Sequence, residues 1–316
     1  MKGILFLEPV FKEKIWGGSG LRSQFDYEIP SNSTGECWGI SGHENGTNIV
    51  ANGVFKGKTL RQLWNENREL FNHEPGEEFP LLVKIIDAQD DLSVQVHPDD
   101  EYAKKHEGYA LGKTECWYIL DHEPGAKLVL GHHANSRDEL TKMVDAERWG
   151  ELFRDVPVQK GDFYYVPSGT VHAIGKGIMI LEIQQSSDIT YRFYDYGRTD
   201  DRGNPRELHI DDSIACSMVP HKDALPEQNE WTNGDLMIKK LIEENYFTVY
   251  RWDIAGEASY KVDQYLLMSV VDGQGEIIVE GVIHKLEKGQ HFIVPSTVDS
   301  FTIRGKMTMT VSHTTK

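Results

Sequence analysis

The chain has 316 residues, which is long enough to bury a large core and to form two domains. Its contents of 39% hydrophobic and 26% charged residues are typical of a globular protein. The formal net charge of −17 argues against nucleic acid or an anionic membrane as a partner, because both bind a basic protein surface. An anionic small molecule is still compatible with this charge, since a few local cations can dominate one pocket.

The spacing of the cysteines and the length of the apolar segments indicate the cellular compartment of the protein. Cys37, Cys116 and Cys216 lie far apart and form no Cys-x-x-Cys pair, so we expect neither a disulfide framework nor a cysteine zinc site. The apolar stretch at the N-terminus is too short for a signal peptide, and no segment approaches the roughly 18 apolar residues of a membrane helix. We therefore expect a cytoplasmic protein with no membrane partner.

Short strands and turns are predicted from the N-terminus to about Gly53, where glycines interrupt the apolar runs. Apolar residues at helical spacing then predict a helix over 60–71, inside a helical insertion of about 56–75. Residues 79–86 follow as a buried strand that is interrupted by one lysine, Lys84.

Two more helical insertions are predicted within a series of strands. The first, at about 99–110, starts from an Asp-rich cap. The second, at 136–153, starts where Ser136 and Glu139 match a capping box. The strand pattern resumes over 161–183.

The last third of the chain is predicted to hold a long loop, a boundary and a second unit. Residues 195–209 are polar and read as a loop, and 224–233 are rich in Pro, Glu, Asn and Gly, as at a domain boundary. The segments 161–168 and 289–296 share a glycine, a short strand and a Pro-Ser pair at the same spacing. This internal repeat predicts two barrel-like β units, of which only the first keeps its polar residues.

Four polar side chains stand out within or next to apolar strand patterns. Gln95 and His97 are two residues apart on the run 92–97, so strand alternation places both on one face. An unpaired amide or imidazole is costly in an apolar interior. Glu115 begins a further apolar strand, and His172 follows a Pro-Ser-Gly turn. Each alone is more often a hydrogen-bonded core or loop residue, but the set suits Zn²⁺, with Mn²⁺, Fe²⁺ or Co²⁺ as alternatives.

Longer motifs carry a family resemblance over roughly residues 5–210. Residues 161–172 (Gly-x5-Pro-x-Gly-x2-His) are similar to the second signature of the cupin superfamily. Residues 92–98 (Leu-Ser-Val-Gln-Val-His-Pro) resemble the signature of type I mannose-6-phosphate isomerases. Residues 113–115 (Lys-Thr-Glu) resemble that family's Lys-Pro-Glu, and 187–192 (Ser-Asp-Ile-Thr-Tyr-Arg) resemble its Ser-Asp-Asn-x-x-Arg.

The resemblance implies a fold, a reaction and a cofactor. The fold is mainly β, with two cupin-like jelly-roll barrels and a few helices inserted in the first. A catalytic domain is expected at 1–225, and a smaller, degenerate cupin-like domain without metal at 235–316. The reaction interconverts mannose 6-phosphate and fructose 6-phosphate through an enediol. One Zn²⁺ per chain, or another divalent metal, is held by Gln95, His97, Glu115 and His172.

The resemblance also suggests residues for the chemistry. Glu182 lies ten residues before Arg192, which is the family's spacing between an acidic residue and its arginine, so Glu182 is the first candidate for the base. Lys113 and Lys84 are alternatives. Arg192 is expected to stabilise enediolate charge or to bind substrate. The competing readings are a buried ion pair for Glu182, and for Arg192 an ion pair with Asp188.

Departures from the family pattern concern proton transfer and phosphate binding. The histidine that precedes Lys-Pro-Glu in the family is Gly112 here, which removes one proton carrier. A cation still occurs six residues after Arg192, so Arg198 is the first candidate for binding phosphate. Ser93 and Lys84 are weaker candidates for substrate contacts.

Two other functions are compatible with the same motifs. A glucose-6-phosphate isomerase of cupin type and a non-catalytic sugar-binding or regulatory cupin are the alternatives. A non-heme iron oxygenase is disfavoured, because a fourth protein ligand restricts the positions open to O₂. His43, His132 and His133 are expected at the surface, and His284 and His291 in packing or solvent. The sequence leaves the oligomeric state open, and a monomer is plausible.

Overall fold

The computed structural model describes residues 3–199 and 203–315, and strands dominate these ranges. The strands are β1 (Leu5–Glu8), β2 (Val10–Gly18), β3 (Thr34–Ser41), β4 (Ile49–Val50), β5 (Leu81–Ala88), β6 (Val94–Val96), β7 (Glu115–His122), β8 (Lys127–His132), β9 (Phe153–Pro157), β10 (Phe163–Val166), β11 (His172–Ala173), β12 (Ile178–Gln185), β13 (Tyr191–Tyr194), β14 (Asn229–Asn233), β15 (Leu236–Glu243), β16 (Thr248–Lys261), β17 (Leu266–Val279), β18 (Val282–Glu287), β19 (His291–Val294) and β20 (Ser300–His313). The helices are α1 (Gly20–Phe25), α2 (Leu60–Glu66), α3 (Asp100–His106), α4 (Arg137–Asp145), α5 (Trp149–Leu152) and α6 (Ile210–Cys216). Short 3₁₀ helices cover Gly53–Phe55 and Arg68–Phe71.

The strands form three antiparallel sheets. One has six strands in the order β10-β7-β12-β5-β3-β2, and one has five in the order β13-β6-β11-β8-β9. The third has nine strands, with the path β14-β15-β16-β20-β17-β19-β1-β4 and β18 paired to β17. The prediction of a mainly β fold is confirmed. In the described ranges the predicted barrels take the form of open sheets, and none closes on itself.

The six-stranded sheet is the middle layer of the molecule. Its central strands β3, β5 and β12 are buried at every position, because both faces are covered. One face carries residues such as Val83 and Leu181, which share a core with Phe247 and Ile293 of the nine-stranded sheet. The other face carries residues such as Ile180, which pack with residues around the five-stranded sheet. Polar side chains on this second face therefore lie between two sheets.

Two strands near the N-terminus belong to the sheet that the C-terminal residues form. β1 and β4, within the predicted domain 1–225, belong to the nine-stranded sheet, where Leu5 pairs with Ile293. The six-stranded and nine-stranded sheets approach closely at Gly39 of β3, where an added Cβ would lie 2.4 Å from the ring of His291 on β19. Strand patterns indicate that a segment is extended, but they do not identify a pairing partner at the far end of the chain.

Several local predictions also differ from the structure. The predicted helix 136–153 is divided into α4 and α5, because Glu147 takes a left-handed backbone with φ of 51° and β9 begins at Phe153. The helices α1 and α6 were not predicted. The predicted boundary 224–233 contains β14, which forms a hairpin with β15 through a two-residue turn, Gly234-Asp235, in which Gly234 has a positive φ. Part of the predicted loop 195–209, residues 200–202, lies outside the described residues.

Within 3–199 and 203–315, no helix combines the length and the apolar character needed to cross a membrane.

Candidate active site

Three strands of the five-stranded sheet carry one row of polar side chains. His172 on β11 is in register with Gln95 on β6, which is in register with Arg192 on β13. Residues in register on neighbouring strands point to the same face. This face is turned toward the six-stranded sheet, where Glu115 begins β7. His97 follows β6 directly and lies beside the same carboxylate.

The two imidazoles and the carboxylate converge on one point. Ligand atoms of His97, Glu115 and His172 lie within 4.8 Å of one another, and all three side chains are buried. His97 Nε2 is 3.6 Å from Glu115 Oε2, and His172 Nε2 is 3.4 Å from Glu115 Oε1. The Gln95 amide lies 3.5 Å from His97 Nε2 and 3.3 Å from His172 Nε2. The structure thus brings the four expected metal ligands together.

Backbone carbonyls decide which imidazole nitrogen faces this point. His97 Nδ1 donates to Ile189 O at 2.7 Å, and His172 Nδ1 donates to Thr170 O at 2.9 Å, so each neutral ring keeps its lone pair on Nε2. Burial and then the charge of Lys113 hold the pKa of His97 well below its usual value. Burial also lowers the pKa of His172, against the opposing attraction of Glu115. Both rings are therefore neutral near pH 7, as metal binding requires.

This group of donors fits a divalent cation. Glu115 Oε2 is buried without a hydrogen bond of normal geometry. The Lys113 ammonium lies 2.7 Å from that oxygen and 3.0 Å from His97 Nε2, which shows that the point favours positive charge. The Gln95 amide turns its nitrogen toward the imidazoles, and the reversed orientation presents Oε1 as a fourth donor. Two imidazole nitrogens with carboxylate and amide oxygens suit Zn²⁺ and similar metals.

The opposite wall of the cavity is a row of side chains across the six-stranded sheet. Trp117, Glu182, Lys84 and Trp38 follow one another in register on β7, β12, β5 and β3. Lys84 Nζ lies 2.8 Å from Glu182 Oε1. The Trp117 indole N–H is 3.2 Å from Glu182 Oε2 and 3.1 Å from Glu115 Oε1. The indole thus connects the Lys84–Glu182 ion pair to the Glu115 carboxylate.

The charges on this wall stabilise one another. Burial alone would raise the pKa of Glu182, but Lys84 and Lys113 outweigh burial and hold that pKa below its usual value. Burial alone would lower the pKa of Lys84, but Glu182 and Glu36 reverse the effect and raise it. Although burial opposes ionisation, Lys84 and Lys14 lower the pKa of Glu36 to about 2. The Glu182 carboxylate and the Lys84 ammonium are therefore both charged at neutral pH.

A pair of arginines lines a third side of the cavity. Arg192 and Arg206 both border the space that Ser93 lines. Among the described residues nothing accepts a hydrogen bond from the Arg192 guanidinium, and its Nε is buried without a partner. Burial and then the charge of Arg206 lower the pKa of Arg192. The competing ion pair between Arg192 and Asp188 is not formed; the Asp188 carboxylate instead accepts a hydrogen bond from the Asn45 amide at 2.7 Å.

Arg198, the first candidate for binding phosphate, is not among the residues that line this cavity. A turn with positive φ at Tyr196 and Gly197 directs the Arg198 side chain back onto its own loop. There its guanidinium bonds to Asp195 and to the Asp91 carbonyl oxygen. Arg206, held by the same Asp195, lines the cavity instead.

One cavity of about 130 Å³ gathers most of the expected residues. Those that line it are Lys84, Ser93, Gln95, Lys113, Glu115, His172, Glu182 and Arg192. His97 is buried directly behind Glu115. The sequence interpretation missed Lys14, Glu36 and Arg206. Glu36 could have been found as an acidic side chain on an otherwise apolar strand, whereas Arg206 follows a polar loop and offers no periodic signal.

The expectation of surface positions was wrong for two of the three histidines. His43 is 3% exposed and packs edge-on against Trp38, and His132 is buried with Nε2 2.9 Å from Met218 O. His133 is exposed as expected. The polar residues that flank His43 and His132 in sequence suggested exposure, but other parts of the fold cover both side chains.

Comparisons with known proteins agree with the motifs. The family described as phosphomannose isomerase type I, catalytic domain, matches residues 4–133, and the mannose-6-phosphate isomerase cupin domain matches residues 237–314. "Mannose-6-phosphate isomerase ManA" of Bacillus subtilis is 50% identical over 313 residues, covering 98% of each chain. "Mannose-6-phosphate isomerase" of Streptococcus mutans is 50% identical over 314 residues, again covering 98% of each chain.

A solved structure extends the agreement to three dimensions. The crystal structure of the mannose 6-phosphate isomerase from Bacillus subtilis superposes with a TM-score of 0.97 at 49% identity, covering 99% of this chain and 100% of that one. About half of the residues are thus identical over nearly the full length, and the two backbones are closely similar. The chain belongs to the type I mannose-6-phosphate isomerase family.

Proposed function

We propose that this protein is an aldose–ketose isomerase that interconverts mannose 6-phosphate and fructose 6-phosphate. One observation carries the proposal. The candidate metal donors around Glu115, the Lys84–Glu182 ion pair and Arg192 all lie at the same cavity. Two relatives that are 50% identical to this chain are named mannose-6-phosphate isomerase. The reaction moves a proton between C2 and C1 of the open-chain sugar, so it needs a proton carrier and a means of stabilising negative charge.

The metal is proposed as one Zn²⁺ per chain, held by Gln95, His97, Glu115 and His172. When bound, it supplies Lewis acidity worth several kcal/mol toward negative charge that develops on the sugar. The carbonyls of Ile189 and Thr170 hold the two imidazoles in the required orientation. Metal analysis of the purified protein identifies the ion, and less than a stoichiometric amount of any divalent metal would contradict this assignment.

For proton transfer we propose Glu182. Its carboxylate is ionised, lines the cavity, and is held by Lys84 and by the indole N–H of Trp117. Lys113 is the competing carrier, since its ammonium lies between His97 and Glu115. Arg192 is proposed to stabilise enediolate charge, because its guanidinium faces the cavity without a carboxylate partner among the described residues.

The two alternative functions differ from the proposed one in substrate or in turnover. A glucose-6-phosphate isomerase would act on glucose 6-phosphate and release fructose 6-phosphate. A non-catalytic sugar-binding cupin would bind the sugar phosphate without turnover. The second alternative leaves the buried Lys84–Glu182 pair beside the metal donors without a purpose, which favours catalysis.

The deciding experiment is a coupled assay of fructose 6-phosphate formation with mannose 6-phosphate or glucose 6-phosphate as substrate. We expect turnover of the mannose compound, loss of activity after complete chelation, and recovery when Zn²⁺ is restored. No turnover by the metal-loaded protein would disprove the isomerase proposal, and full activity after chelation would disprove the role of the metal. A cytoplasmic location and a monomeric state stay predictions from the sequence.

A further inference from the structure

We propose that Arg206, positioned by Asp195, binds the phosphate group of the substrate beside Arg192, which keeps its proposed role at the enediolate, and that Arg198 serves only to fix this arrangement. The inference rests on the proposed function, because it assigns the phosphate end of the sugar phosphate to one side of the cavity. It differs from the motif-based expectation, which gives this task to Arg198.

The hydrogen bonds of the two arginines distinguish their roles. All three guanidinium nitrogens of Arg198 bond to the protein, Nε and one Nη to Asp195 and the other Nη to the Asp91 carbonyl. Arg206 donates hydrogen bonds from Nε and from one Nη to the Asp195 carboxylate, with Nε 2.7 Å from Oδ2. No described residue accepts from its second Nη, so one edge of the guanidinium is left for a ligand. A guanidinium edge matches two oxygens of a phosphate.

The balance of charge also favours an anion on this side of the cavity. On the opposite wall, Lys14, Lys84 and Lys113 each lie within ion-pair distance of a glutamate. On the arginine side, Asp195 is the one described carboxylate within ion-pair distance of Arg198 and Arg206, and none lies within that distance of Arg192. The three arginines thus exceed their described carboxylate partners by two charges. A phosphate monoester carries about −1.5 to −2 charge at pH 7, which matches this excess.

Asp195 gives Arg206 a fixed orientation before the ligand arrives. The residue Asp195 is 4% exposed, and Arg206 and Arg198 keep the pKa of its carboxyl below the usual value although burial opposes ionisation. A carboxylate that holds an arginine in place reduces the entropy lost on binding. Arg206 is a substrate-binding residue in this arrangement, and Asp195 and Arg198 are positioning residues.

The test compares Arg206→Gln with wild type, using inorganic phosphate as the probe. We expect the affinity for phosphate, measured by calorimetry, to fall roughly 10- to 100-fold, as for the loss of a charge-assisted hydrogen-bond pair. KM for mannose 6-phosphate should rise by a similar factor, while kcat changes less than about threefold. Arg206→Lys should recover part of the affinity, because it keeps the charge and loses the planar edge.

The matched control is Arg154→Gln, which also removes a partly exposed arginine from an aspartate pair, here with Asp223. It should leave phosphate affinity and KM at wild-type values. Unchanged phosphate affinity in a folded Arg206→Gln protein overturns the inference, as does an equal loss in the control. Phosphate binding is measured without turnover, so a failure of the isomerase proposal would be seen separately in the coupled assay.

Discussion

At the scale of single residues, the Glu182 carboxylate has two readings that experiments can separate. It is half of a buried ion pair with Lys84, and it is our proposed proton carrier. We expect Glu182→Gln to lower kcat roughly 10²- to 10⁴-fold, because a positioned base contributes about that factor. Exchange of the substrate C2 hydrogen with solvent, followed by NMR, should be lost in parallel.

The comparison variant for this prediction is Lys113→Met, which removes the competing carrier but keeps Glu182. Both proteins must first show normal metal content and circular dichroism. If exchange persists in Glu182→Gln and disappears in Lys113→Met, the roles of the two residues are reversed. A structural role for Glu182 would instead appear as a loss of stability with exchange preserved.

At the scale of elements, α2 illustrates how a short insertion is fixed to the core. Thr59 and Gln62 form a capping box at its start, and Leu60, Leu63 and Trp64 are buried. We expect Thr59→Ala to lower the free energy of unfolding by about 1 kcal/mol, because the backbone N–H of Gln62 loses its acceptor. Urea unfolding measures the change. Thr59→Ser keeps the oxygen, so a loss as large as that of alanine would contradict the capping explanation.

At the scale of the whole molecule, His291 of the nine-stranded sheet packs in its neutral form against Gly39 of the six-stranded sheet. It is 2% exposed, lies 3.1 Å from the Tyr27 hydroxyl and 2.8 Å from Ser269 Oγ, and burial lowers its pKa to about 4. The unfolded chain, with an ordinary histidine pKa of about 6.5, takes up the proton first as the pH falls. Stability from this residue is therefore complete above about pH 6.5 and decreases between about pH 6.5 and 4, by about 3 kcal/mol.

The variant His291→Gln checks this prediction, because an amide can still hydrogen bond but does not titrate. Its free energy of unfolding, measured by denaturant titration from pH 7 to pH 4, should fall less steeply than that of wild type. Parallel curves for the two proteins would show that another buried histidine, and not His291, controls the acid sensitivity.

The convergence of the candidate metal donors, and most of the residues that line the cavity, could be predicted from the sequence for a local physical reason. Alternation along a strand places Gln95 toward one face, and a polar side chain among apolar neighbours requires a partner. The same logic applies to Glu115 and Lys84 and would have found Glu36. Family spacing then added Glu182 and Arg192, which also line the cavity.

What the tertiary structure alone decided are the contacts between distant segments and the directions of loops. The pairing of β1 with β19 joins the two ends of the chain, and no local pattern specifies such a partner. Spacing along the chain pointed to Arg198, but the turn at Tyr196 and Gly197 folds that side chain away and leaves Arg206 at the cavity. In a strand, the alternation of side chains between two faces can be read from the sequence. In an irregular loop, the direction of a side chain depends on the surfaces that the loop packs against.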